Sequence, residues 1–84
     1  MFEMGTVYVL INCDLGYEEE VIDKLKNISG VKEAQGTFGA YDILAKIESD
    51  ELDKIRDTIT HKIRQMDRVK STLTLMTVTG KYDV

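Results

Sequence analysis

The residues best suited to bind a small molecule lie together in the middle of the chain, in the sequence Gly39-Ala40-Tyr41-Asp42. Gly36 and Gly39 can adopt backbone conformations that a Cβ atom disfavours, so the chain is predicted to reverse direction here. Such a turn presents backbone N–H groups beside one aromatic ring and one carboxylate. Because glycine turns precede strands in most β-containing proteins, a hairpin without a ligand is the simpler interpretation of the motif alone.

Residues suited to catalysis are scarce, since the sequence has one histidine and one cysteine. We expect Cys13 to be a small buried residue at a strand end and His61 to be a solvated side chain, so a Ser-His-Asp or Cys-His site is not predicted. Glu18, Glu19 and Glu20 are consecutive. On a helix they point in different directions, so we expect them to complement the helix dipole. No catalytic and no metal-binding residue is predicted.

Length and charge indicate one soluble domain over residues 1–84, with a net charge of -4. Residues 1–50 hold ten acidic and four basic side chains, and residues 51–84 hold five and seven. This asymmetry is too mild for the basic surface that nucleic acid requires. No apolar run approaches the roughly 18 residues of a membrane span, and the first residues do not resemble a secretion signal. We therefore expect a cytoplasmic protein that binds neither nucleic acid nor membrane directly.

Two hydrophobic periodicities predict six elements of secondary structure. The predicted strands alternate apolar and polar residues or are rich in β-branched residues, whereas the predicted helices repeat apolar residues at intervals of three and four. Ser49 or Asp50 is expected to cap the second helix, and Gly30 to end the first. In order, the predicted elements are a strand over Thr6–Asn12, a helix over Tyr17–Ile28, strands over Val31–Gly36 and Tyr41–Ile47, a helix with an apolar stripe at Leu52, Ile55, Ile59, Ile63 and Met66, and a strand over Val69–Val78, before a short tail from Gly80.

The order of these elements is β-α-β-β-α-β, and its two halves are similar. Ile28-Ser29-Gly30-Val31-Lys32 follows the first helix as Met66-Asp67-Arg68-Val69-Lys70 follows the second. Two right-handed split units of this kind interleave into a four-stranded antiparallel sheet with both helices on one face. The predicted fold class is therefore α+β, ferredoxin-like, with the first and third strands in the centre of the sheet.

Two helices cover only one face of such a sheet. If Val7, Val9 and Ile11 face the helices, the opposite face carries apolar side chains that a monomer would leave in water. Packing two sheets about a two-fold axis covers them most simply, so we expect at least a dimer. The residues expected at this interface are Tyr8, Leu10, Leu44 and Met76.

With this order of elements, three segments give the chain a family resemblance. They are Tyr8-Val9-Leu10-Ile11, Gly30-Val31-Lys32-Glu33 and the run from Gly39 through Tyr41, Asp42, Ile43 and Leu44. Over about residues 5–79 the chain resembles the effector-binding domain of the Lrp/AsnC transcription regulators, known as the RAM domain. Leu15 stands where family members often have proline, which affects only a turn. The regulators' N-terminal helix-turn-helix has no counterpart here, so the chain looks like a stand-alone member.

The resemblance implies a non-catalytic module that senses an amino acid and forms oligomers. Family members dimerise through their sheets, assemble into rings of dimers, and bind small molecules, usually amino acids, between dimers. The resemblance therefore implies an amino-acid effector, a homodimer within a ring, no cofactor, and full-length Lrp/AsnC proteins as possible partners. The ligand-binding residues that it implies are Gly39, Ala40, Tyr41, Asp42, Thr72 and Thr74.

Two other functions stay open at this point. The first is a scaffold that forms oligomers without a ligand. The second is a small acylphosphatase-like enzyme on the same fold, which needs an arginine-containing anion cradle after the first strand. The loop from Cys13 to Tyr17 has no basic residue and contains Asp14, whose carboxylate repels phosphate. The residues therefore argue against the enzyme.

Overall fold

The computed structural model describes residues 5–76. Four strands and two helices follow one another in the predicted order β-α-β-β-α-β. The second helix changes from α-helical to π-helical hydrogen bonding halfway along its length. The elements are β1 (Gly5–Cys13), α1 (Glu18–Lys26), β2 (Val31–Gly36), β3 (Ile43–Ser49), α2 (Leu52–Asp57) continued by a π-helical segment (Thr58–Ile63), and β4 (Val69–Met76).

The strands form one antiparallel sheet in the order β2-β3-β1-β4, which confirms the predicted ferredoxin-like fold with β1 and β3 in the centre. Ile11 of β1 lies opposite Ile43 of β3 on one side and Thr72 of β4 on the other. The edge strand β2 is largely exposed, as its polar sequence predicts.

The hydrophobic core lies between the sheet and the helices. Each buried Val, Leu or Ile side chain removed from water contributes roughly 1.5 to 3 kcal/mol before opposing entropy. On the sheet side the buried residues alternate along the strands, as predicted, and α1 and the second helix contribute the rest. The core includes Val7, Val9, Ile11, Ile43, Ala45 and Ile47 from the sheet and Val21, Leu25, Ile55, Ile59 and Ile63 from the helices.

Several element boundaries differ from the predictions by one or two residues; α1, for example, ends at Lys26 rather than at Ile28. β3 begins at Ile43 rather than at Tyr41, because the two preceding residues belong to the hairpin connection. The residue before α2 is Glu51, without a side-chain cap, and the Ser49 hydroxyl accepts a hydrogen bond from the Glu51 N–H at 3.1 Å. The predicted residues of the last strand beyond Met76, and the tail from Gly80, lie outside the described residues.

The second helix is not α-helical throughout. From Thr58 onward it has π-helical geometry, and at its end the Arg64 N–H donates to the Ile59 carbonyl, five residues earlier, at 2.9 Å. The predicted stripe holds for Ile55, Ile59 and Ile63, whereas Leu52 is 57% exposed. No helix in residues 5–76 is long and apolar enough to cross a membrane.

The turns that follow the two helices have the same geometry. Gly30 and Arg68 both have positive φ, at 97° and 77°. In each turn the N–H of the next residue donates to a carbonyl three residues earlier, from Val31 to Ile28 at 3.1 Å and from Val69 to Met66 at 3.3 Å. The internal similarity seen in the sequence therefore extends to backbone conformation.

Candidate functional site

The six residues between β2 and β3 form a hairpin connection closed by two hydrogen bonds from Thr37. Its N–H donates to the Asp42 carbonyl at 2.9 Å, and its hydroxyl donates to the Tyr41 carbonyl at 2.7 Å. Gly39 has φ of 126°, so the predicted need for glycine is confirmed at this position. Phe38 at the tip is fully exposed.

Backbone donors at this hairpin are available to a ligand. Within residues 5–76, the N–H groups of Phe38, Gly39, Ala40 and Tyr41 have no hydrogen-bond partner. A Cβ atom built on Gly39 meets nothing within 4 Å, so the space beside the turn is open. Successive free N–H groups in a turn can receive a carboxylate.

Asp42 fastens the hairpin to the end of β1. Its N–H donates to the Ile11 carbonyl at 3.0 Å, and its carboxylate Oδ2 accepts a hydrogen bond from the Cys13 N–H at 3.0 Å. A hydrogen bond to a charged acceptor is worth about 1.5 to 3 kcal/mol. The carboxylate of Asp42 therefore has a structural role, whether or not it also contacts a ligand.

Thr72 and Thr74 lie on the far side of β1 from the hairpin. They are opposite Ile11 and Val9, so both are on the face of the sheet that the helices cover. Two strand spacings, roughly 10 Å at about 4.8 Å each, separate β4 from β3. Within one chain, the structure therefore brings Gly39, Ala40, Tyr41 and Asp42 together and leaves the two threonines apart from them.

A cluster that the sequence did not reveal lies at the same end of the sheet. The Arg68 guanidinium stacks over the Tyr17 ring, 4.2 Å from its centroid, and lies 3.6 Å from the Asp14 carboxylate. The Asp14 N–H donates to the Arg68 carbonyl at 2.8 Å. The similarity of residues 66–70 to residues 28–32 was the available signal, since it places Arg68 where the first half has Gly30.

Cys13 lies between this cluster and the hairpin, and its side chain is buried. Burial raises the pKa of the Cys13 thiol above its usual range, and the nearby carboxylates of Asp42, Glu18 and Asp14 raise this pKa further, against a smaller opposing effect of Lys70. A protonated, buried thiol is a poor nucleophile. Cys13 therefore has the packing role that was predicted for it.

The open face of the sheet carries a patch of partly exposed apolar side chains, for which one prediction was wrong. Tyr8 and Leu10 lie on this face, but Met76 is opposite Val7 and so shares the helix-covered face. The β4 residues opposite Tyr8 and Leu10 are Leu75 and Leu73. We call the resulting set the open-face patch; it consists of Tyr8, Leu10, Leu44, Leu73 and Leu75.

Among residues 5–76, no group of three or more His, Cys, Asp or Glu side chains is arranged to hold a metal ion. The arrangement at the hairpin offers backbone donors for an anion, one carboxylate and one tyrosine ring. These groups can form hydrogen bonds to a small molecule.

Comparison with known proteins identifies the family to which the chain belongs. A family model described as the Lrp/AsnC ligand binding domain matches residues 6–82. The crystal structure of a hypothetical protein from Pyrococcus horikoshii is 35% identical, with 92% of this chain and 93% of that chain covered at a TM-score of 0.83. A search of curated protein sequences gave no significant match.

Two more distant structures show the fold alone. AsnC of E. coli is 23% identical, with 99% of this chain and 56% of that chain covered at a TM-score of 0.83. A transcriptional regulator of Neisseria meningitidis, solved as a complex with L-Met, is 7% identical, with 95% of this chain and 53% of that chain covered at a TM-score of 0.80.

The family model spans nearly the whole sequence, and the chain belongs to the Lrp/AsnC ligand-binding domain family.

Proposed function

We propose that this protein is a non-catalytic, amino-acid-sensing oligomerisation module that acts in the cytoplasm. It assembles as a dimer and a ring of dimers, or together with full-length Lrp/AsnC regulators. The observation that carries the proposal is a hairpin with free backbone donors, fastened to β1 through Asp42. Neither nucleic acid nor a membrane is a direct partner.

Three features support an amino-acid ligand at the hairpin. The free N–H groups from Phe38 to Tyr41 suit an α-carboxylate, and the Asp42 carboxylate suits an α-ammonium group. The N. meningitidis regulator of the same fold was solved with L-Met. The hairpin is open on its outer side, so a second subunit is needed to enclose the ligand, and Thr72 and Thr74 of that subunit are candidates to complete the polar contacts.

The open-face patch supports the dimer. Leu73 and Leu75 are 44% and 47% exposed, next to Tyr8, Leu10 and Leu44 on the same face. Contiguous apolar surface of this kind marks an interface in a soluble protein. Since E. coli AsnC is longer than this chain and contains the same fold, the patch also suits pairing with a full-length regulator.

The dimer is tested by placing a charge on the patch. Leu73→Glu is expected to convert a species of at least twice 9.5 kDa into a monomer, measured by light scattering at micromolar concentration. Leu52→Glu is the matched control, because Leu52 is also exposed, at 57%, but lies on α2. A wild-type mass of 9.5 kDa, or an unchanged mass for Leu73→Glu, contradicts the proposal.

The ligand is tested by calorimetry against the twenty amino acids, with two variants of Asp42. Asp42→Asn keeps an oxygen that can accept from Cys13 but removes the charge, whereas Asp42→Ala removes both. If the carboxylate binds the ammonium group, both variants weaken binding by roughly 1.5 to 3 kcal/mol, and only Asp42→Ala also lowers the free energy of unfolding. Wild-type affinity in Asp42→Asn assigns the carboxylate to structure alone.

An oligomerisation scaffold without a ligand is the second candidate, and the bond between Asp42 and Cys13 is the observation that favours it. That bond already gives the carboxylate a function in the fold. Absence of binding for all twenty amino acids by an assembled protein selects the scaffold. An acylphosphatase-like activity is not supported, because Asp14 and not a free arginine occupies the loop after β1.

A further inference from the structure

A recess lies beside the second helix, at the opposite end of β3 from the hairpin. It is a half-open groove of about 680 Å³ bounded by the turn after α1, the start of β2, the end of β3 and the second helix. Ile47 and Ile55 lie in it as apolar, buried side chains. Its volume is in the range of small-molecule sites, roughly 300 to 1,000 Å³.

Two departures from regular secondary structure border this groove. β2 has a register shift between Val31 and Glu33, which leaves Lys32 as the extra residue, and the π-helical segment begins at Thr58. Lys32 and Thr58 both line the groove. Bulges and π-helical turns re-aim side chains and occur frequently at functional sites.

Thr58 supplies an unpartnered polar group in the groove. It is 8% exposed, and within residues 5–76 its hydroxyl has no hydrogen-bond partner. Within the described residues no buried side-chain oxygen or nitrogen lacks a partner, so this hydroxyl reaches the solvent in the groove. A ligand in the groove can therefore accept a hydrogen bond from it.

The charges around the groove define what fits it. Lys54 is paired with Glu51 at 2.9 Å, and Asp57 lies 3.7 Å from His61. Lys32, Lys62 and Asp53 also line the groove. Within the described residues these three form no ion pair, so two ammonium groups and one carboxylate remain for a ligand.

We infer that this groove is a second binding site, specific for a dicarboxylic amino acid. The two carboxylates of such an amino acid pair with Lys32 and Lys62, and its ammonium group pairs with Asp53. The Thr58 hydroxyl donates to a carboxylate oxygen of the ligand. Ile47 and Ile55 contact the methylene groups of the ligand. The remaining volume admits water that bridges these groups. This site is separate from the hairpin and does not depend on the proposed function.

The probe is L-glutamate, and its binding to the full chain is monitored by backbone amide NMR during titration. Saturable shifts are expected at Lys32, Ile47, Thr58 and Lys62. Lys62→Gln is expected to weaken binding about ten-fold or more, as for loss of a charge-assisted hydrogen bond, and Thr58→Val about five-fold. Lys70→Gln, an exposed lysine on β4 that does not line the groove, is the control and keeps wild-type affinity.

Glutarate, which lacks the ammonium group, separates recognition of an amino acid from simple attraction of an anion. It is expected to bind wild type more weakly than L-glutamate does, and to bind Asp53→Asn better than wild type. Lys62→Gln changes an exposed side chain, so it tests the site even if Thr58→Val does not fold. Three results overturn the inference: no saturable shift at millimolar glutamate, shifts confined to residues 37–42, or equal affinity in Lys62→Gln. Shifts confined to the hairpin support the proposed function while excluding this site.

Discussion

The turns after the two helices have one backbone conformation but different residues. In the first, Gly30 adopts positive φ, and its carbonyl accepts from the Glu48 N–H at 3.0 Å. In the second, Arg68 adopts positive φ, and its carbonyl accepts from the Asp14 N–H at 2.8 Å. Each carbonyl thus anchors the turn to the end of a central strand.

The difference shows how a strained residue is retained. A residue with a Cβ atom in this region costs about 1 to 2 kcal/mol, which glycine avoids. Arg68 offsets that cost through its side chain, which contacts the Tyr17 ring and the Asp14 carboxylate. The first turn depends on the absence of a side chain, and the second on the contacts of one.

The largest expected effect is at the first turn. Gly30→Ala should lower the free energy of unfolding by about 1 to 2 kcal/mol, because alanine disfavours positive φ. The added Cβ has room, since its nearest neighbours, the Glu48 carbonyl oxygen and Ile47 Cγ2, are 3.9 Å away. Urea denaturation measures the loss, with Ser29→Ala as an exposed neighbouring control. Equal stability of Gly30→Ala and wild type would show that the two turns do not differ in strain.

A smaller effect is expected from the stacking at the second turn. Tyr17→Leu should cost about 0.5 to 1 kcal/mol in the wild-type background and close to nothing in Arg68→Gly. Arg68→Gly itself should change stability little, because relief of strain opposes loss of the side-chain contacts. A double-mutant cycle measures the coupling between residues 17 and 68. Additive losses would mean that the ring does not help to hold Arg68 in place.

The smallest effect is a pH dependence of stability that arises beside the second turn and has no counterpart at the first. Burial and three carboxylates, including that of Asp14, raise the pKa of the Cys13 thiol in the folded protein. The folded state therefore retains this proton to higher pH than the unfolded state. The resulting stability is present below the unfolded thiol pKa, about 8.5, and decreases as pH rises through the raised folded pKa. Compared with Cys13→Ala, wild type should lose stability on the alkaline side, measured by denaturation between neutral pH and about pH 10; parallel curves contradict this.

The fold was predictable because its signals are local and repeated. Alternation in β1 and β3 identified the face that packs on the helices, and apolar content identified the central strands. The error at Met76 arose because β4 is an edge strand with apolar side chains exposed on both faces. Only its register with β1 assigns Leu73 and Leu75 to the open face.

The site was predictable in part. Glycine in a turn of unusual φ is visible in a sequence, so the hairpin was located correctly. The bond from the Cys13 N–H to Asp42 joins residues 29 positions apart, and no local pattern encodes it. The π-helical segment was missed for another reason: Ile55, Ile59 and Ile63 are spaced by four, which an ordinary α-helix also satisfies.

The strand order has a consequence for how the chain folds. The first half contributes β1 and β2 and the second contributes β3 and β4, so in the order β2-β3-β1-β4 every strand has neighbours only from the other half. A cut within the hairpin would yield two fragments, neither of which contains a pair of adjacent strands. The two fragments have a sheet only when they associate, which makes formation of the sheet a single cooperative event.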